Sequence, residues 1–94
     1  MVVDAGARRA LEQRHSSLLP AGVVSVTGAF GVGDAVSVVG EDGEEFARGL
    51  ARYSAAEVVQ LAGGHSGQIE ERIGNHAGDE VVHRDDMVLT ATRA

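Results

Sequence analysis

Residues 33–53 read GDAVSVVGEDGEEFARGLARY, and the way they fold decides what the rest of the chain can be. Val36 and Val38 alternate with small or polar residues, the period of a half-buried strand. Gly33-Asp34 ahead of them suits a tight turn, because glycine tolerates positive φ and aspartate bonds its own backbone. Asp42-Gly43 marks a hairpin, after which EFARGLARY returns as a strand with Phe46 and Leu50 on one face and Arg48 between them. Gly49 interrupts that strand and predicts a bulge or a close backbone approach. Upstream, Val24 and Val26 alternate with Ser25 and Thr27 in a further strand, expected to meet the Val36–Val38 strand at the Gly33-Asp34 turn.

Helices flank this strand region. Asp4 is placed to cap a short helix that carries Ala7, Ala10 and Leu11 on one face. Ser54 and Glu57 form a capping box before Val58, Val59 and Leu61, and Gly63-Gly64 ends that helix. Ser66 is set to cap another, with Ile69 and Ile73 on one side and Gly74 as terminator. EVVHRDDMVLT, residues 80–90, supplies β-branched and apolar residues for a last strand. The expected architecture is mainly β with short helices, a small mixed barrel in one domain over residues 1–94, without linkers or repeats.

Composition narrows the function. Ninety-four residues suffice for one compact core but not for a two-lobed enzyme. The chain has no cysteine, which removes disulfides, thiolate nucleophiles and cysteine-ligated zinc and fits a cytoplasmic location. It shows no long apolar leader and no run long enough to cross a membrane as a helix. The formal net charge of −6 has the wrong sign for a protein that binds nucleic acid mainly by neutralising phosphates.

Several motifs invite a catalytic reading and fail it. His83-Arg84-Asp85-Asp86 spells the start of a protein-kinase catalytic loop, yet Thr90 stands where the metal-binding Asn belongs, and all 8 basic residues are arginines, leaving no lysine for ATP. The plainer reading is a strand end in which Arg84 pairs with a carboxylate and His83 packs in the strand. Gly31-Val32-Gly33-Asp34 lacks either phosphate-loop pattern and precedes a strand rather than a helix, so it reads as a turn. His15, His65, His76 and His83 match no compact metal-ligand spacing. Ser66 beside His65 does not make a nucleophile and base, since adjacent residues cannot easily form that pair.

The segments SLLPAGVVSVTGAFGVGDAVSVV, ARGLARYSAAEV, GGHSGQIEERIG and DEVVHRDDMVL, in this order across nearly the whole chain, resemble the C-terminal PUA domain of the bacterial glutamate 5-kinase family. Asp86 departs from the asparagine more usual after His-Arg-Asp in that family, and NHAGDE lacks an aromatic expected there. The resemblance implies a PUA-like mixed β pseudobarrel. It also implies a parent enzyme that transfers the γ-phosphate of ATP to the side-chain carboxylate of glutamate, with magnesium, in the first step of proline synthesis. Those sites belong to the preceding amino-acid-kinase domain, which this sequence lacks, so no catalytic, cofactor or metal residue is carried over here. Met1 at the domain edge suggests a fragment.

The expected role is therefore a noncatalytic accessory domain whose partner is the kinase domain of the same protein or another subunit, tuning assembly and feedback regulation. PUA domains elsewhere bind structured RNA through the first helix and the neighbouring strand surface. Arg8, Arg9, Arg14 and His15 are accordingly the candidate contacts for RNA or a partner. Against RNA stand the negative charge and the few aromatics, Phe30, Phe46 and Tyr53, which are expected in the core or in strands.

Overall fold

A computed structural model describes residues 1–64 and 78–90. Five strands, β1 (Val2–Val3), β2 (Val23–Ser25), β3 (Ala35–Val39), β4 (Glu45–Ala51) and β5 (Val82–Leu89), form one sheet in the order β2-β1-β3-β4-β5. Two helices, α1 (Ala5–Arg14) and α2 (Ala55–Leu61), and a 3-10 turn at Pro20–Gly22 complete the described elements. All strand pairs are antiparallel except β1 with β3. Leu18 bridges to Val82, its N–H donating to the Val82 carbonyl at 2.9 Å while Val81 N–H donates to the Leu18 carbonyl at 2.7 Å. The lead-in to β2 at one sheet edge thus touches β5 at the other, and the sheet curls toward a barrel. The mixed sheet with two short helices matches the expected fold class.

Local chemistry places the helices where expected. Ala7 N–H donates to Asp4 Oδ1 at 2.7 Å, capping α1. Both halves of the Ser54–Glu57 capping box form, at 2.9 and 3.3 Å. The Asp42-Gly43 hairpin joins β3 to β4, with Gly43 at φ +85°. Val3, Leu11, Leu18, Val38, Phe46, Tyr53 and Leu61 lie in one buried cluster, and Phe30 packs against it, so all three aromatics serve the interior. The helix expected from Ser66 to Gly74 lies outside the described residues.

Three expectations are corrected. The strand at Val24 and Val26 does not meet β3 at the Gly33-Asp34 turn, because β1 lies between β2 and β3. Within β2, Val23 is the buried residue and Val24 is exposed. Val23 pairs with the fully buried Val3, which fixes its side chain inward, and the strand ends before Val26. In β4, Phe46 and Leu50 face opposite ways. The register shift between Val38 and Val39 leaves Phe46 as an extra residue on β4 opposite them, so Phe46 and Ala47 are both buried and the alternation restarts one residue later, sending Arg48 and Leu50 outward. Gly49 behaves as expected: a Cβ there would lie 2.4 Å from Val82 Cγ1 and 3.1 Å from the Asp86 carbonyl oxygen. Beside it the β4–β5 register shifts, Gly49 pairing with Met87 and Ala51 with Val82.

Candidate partner-binding surface

The run Arg8, Arg9, Arg14 and His15 belongs to α1 and its C-terminal end, but the fold treats its members differently. Arg8 is drawn under the β3–β4 hairpin, its side chain only 17% exposed. Nε lies 3.3 Å from Glu12 Oε1, Nη1 3.4 Å from Asp42 Oδ2 and Nη2 3.2 Å from Glu44 Oε1. The guanidinium carbon sits 4.8 Å from the Phe46 ring centroid, in cation–π range. Gly40 opens the space, since a Cβ there would meet Arg8 Nη1 at 2.6 Å. With its fork committed to three carboxylates, Arg8 is part of the scaffold and presents little to a ligand.

Arg9, Arg14 and His15 are exposed. Arg14 occupies the last turn of α1, where a cation complements the helix dipole, and His15 caps it in the left-handed region at φ 52°. Between α1 and the 3-10 turn runs a groove of about 350 Å³ with Gly6, Ala7, Ala10 and Ala21 among its lining, and its wall continues through Ser16 and Ser17 directly after His15. The structure therefore leaves Arg14 and His15 exposed together at the C-terminal end of α1 and Arg9 exposed in the middle of the helix, while Arg8 is taken up in ion pairs.

The other motifs settle into structural roles. Gly31 N–H donates to Asp34 Oδ2 at 2.8 Å and Asp34 N–H to the Gly31 carbonyl at 3.1 Å, closing the turn, while Gly33 N–H donates to the Ala51 carbonyl at 2.7 Å and ties the loop to β4. Asp85 N–H donates to His83 Nδ1 at 3.1 Å, Arg84 Nε stands 4.0 Å from Asp85 Oδ1, and Arg84 N–H donates to Ser17 Oγ at 2.8 Å. Of the histidines, His65 and His76 lie outside the described residues. Among the described residues no three His, Cys, Asp or Glu side chains converge as metal ligands.

Two features escaped the sequence reading. Glu45 gathers Ser37 Oγ at 2.7 Å, Arg48 Nε at 2.8 Å and Thr90 Oγ1 at 3.0 Å, joining β3, β4 and the end of β5. These bonds, that from Ser37 foremost, hold its carboxyl down at about 2. The second is apolar: the bulge at Phe46 turns Leu50 onto the outer face of the sheet, and Val32 lines the same groove of about 280 Å³. Alternation in the sequence could have assigned Leu50 outward only if the bulge had been foreseen.

Comparison with known proteins fits this architecture. The family model for the PUA domain matches residues 1–73, and a PUA domain from Aeropyrum pernix K1, solved as a tartrate complex, superposes with a TM-score of 0.62 at 26% identity over 87% of this chain and 39% of its own. A PUA domain protein from Thermoplasma acidophilum superposes over 61% of this chain and 37% of its own, with a TM-score of 0.56 and 33% identity. The chain belongs to the PUA domain family. Its curated relatives are glutamate 5-kinases: that of Anaeromyxobacter dehalogenans is 52% identical over 92 residues, 98% of this chain and 24% of the relative. That of Trichlorobacter lovleyi is 49% identical over 89 residues, 95% of this chain and 24% of the relative. The chain spans about a quarter of the length of these relatives.

Proposed function

We propose that this chain is the noncatalytic C-terminal PUA domain of a glutamate 5-kinase, and that it tunes the kinase's assembly and feedback regulation through contacts with the kinase domain or another subunit. The observation that carries this reading is the near-complete match of the chain to a quarter of each relative. In the parent enzyme the preceding domain phosphorylates the glutamate side-chain carboxylate from ATP with magnesium, in the cytoplasm. Among the described residues, no helix is long and apolar enough to cross a membrane.

The test is to compare the full-length polypeptide with a version lacking residues 1–94 of this sequence. Glutamate-dependent ATP turnover is expected in both, with the shortened version altered in its mass by light scattering and in its sensitivity to proline. Absent turnover in the full-length protein would overturn the parent assignment, and unchanged mass and sensitivity would overturn the regulatory role.

A second reading, an RNA-binding module, draws on the exposed Arg9, Arg14 and His15 of α1 and its C-terminal cap. It predicts salt-sensitive binding of a structured RNA hairpin by this chain, lost in Arg9→Glu/Arg14→Glu, measured by fluorescence anisotropy. The net charge of −6 and the commitment of Arg8 weigh against it.

A further inference from the structure

The outer face of β4 and β5, with the loop ahead of β3, carries apolar side chains that the core does not use. Val32 is 68% exposed, Leu50 43% and Val88 64%. Val32 and Leu50 line one groove together with Arg52 and Asp86. Leu50 stands opposite Ala35, and two residues earlier on the same face Arg48 stands between Ser37 and Val88. The charges around these residues are already paired: Arg48 with Glu45 at 2.8 Å, and Arg52 with Asp86 at 3.9 Å. An apolar centre bordered by internally neutralised charges suits burial against protein, and it offers a phosphate backbone little to bind.

Two observations identify the occupant. About three quarters of each relative lies outside the match, so a chain of this kind has a large neighbour in its own polypeptide. The amino nitrogen of Met1 donates to the Ser37 carbonyl at 2.9 Å, and Val39 N–H donates to the Met1 carbonyl at 2.9 Å. A polypeptide joined ahead of Met1 therefore arrives beside Ser37, at the border of the apolar face. We infer that the outer face around Val32, Leu50 and Val88 is the docking surface for the kinase portion of the same polypeptide. This rests on the assignment of the chain to a glutamate 5-kinase.

The experiment is limited proteolysis of the full-length polypeptide, following the rate at which this domain and the kinase portion separate, alongside glutamate-dependent ATP turnover. Val88→Glu and Leu50→Glu are each expected to speed separation on the order of tenfold, the loss of one buried aliphatic contact. Val88→Thr, which keeps the shape, speeds it less. Val59→Glu places the same charge on an equally exposed apolar residue of α2 and leaves the rate unchanged. Equal rates in the wild type and both face variants, or acceleration by Val59→Glu as well, overturns the docking face while turnover preserves the parent assignment. A full-length protein without glutamate-dependent turnover overturns both.

Discussion

The guanidinium of Arg8 lies over the Phe46 ring at 4.8 Å from its centroid, joining the first helix to the bulged start of β4. A residue that looks like a binding arginine thus holds two elements together. Arg8→Ala is expected to lower the melting temperature, and Arg8→Lys to restore only part of it, because an ammonium cannot serve three carboxylates and a ring face as a planar fork does. The difference between wild type and Arg8→Ala should shrink as salt is added. Equal melting temperatures for all three proteins at low salt would show that the network adds nothing.

Glu45 sets the acid response. Its carboxyl is held at about 2 in the folded chain against an ordinary value of 4.5, so the folded state binds its proton later than the unfolded state does. The stability it contributes is fully present above 4.5 and is lost as pH falls toward 2. Glu45→Gln should flatten the acid limb of a stability-versus-pH curve in that window and leave its shape near neutrality unchanged. Denaturant titrations across the window measure both slopes.

Gly49→Ala drives a methyl group into Val82 Cγ1 and toward the Asp86 carbonyl. A backbone oxygen cannot swing aside as a side-chain tip can, so β5 must shift. The expected cost is about 1–3 kcal/mol, as for other overpacked sites, with the change seen in the denaturation midpoint.

Ser54→Ala removes the hydroxyl that accepts from Glu57 N–H and frees the Glu57 carboxylate of its capping geometry. A loss of about 1 kcal/mol is expected, whereas Ser54→Asp, which keeps an acceptor at the N-cap, should stay close to wild type. Thermal melts of the two variants make the comparison.

What was legible in the sequence was what neighbours in the chain decide. Asp4, the Ser54–Glu57 box and Asp42-Gly43 act within three or four residues of themselves, and each does in the structure what its chemistry foretells. Gly49 also showed itself, because a strand tolerates glycine poorly without a reason. Long-range pairing was hidden. Val2 and Val3 form a strand too short to give a period, yet they part β2 from β3. One bulge residue at Phe46 reversed the direction of Leu50. Arg8 stood in a basic run that suggested a ligand, while the carboxylates of Asp42 and Glu44 that claim it arrive from another element.

The bridge between Leu18 and Val82 also governs how the molecule is made. Its two halves lie far apart in the chain, so the ring of strands cannot shut until almost everything between them has been synthesised and ordered, and that late closure spans a longer loop than any pairing between the named strands. During translation the domain waits, with both sheet margins open, for β5. A premature stop before β5 would leave those margins as adhesive templates for other chains.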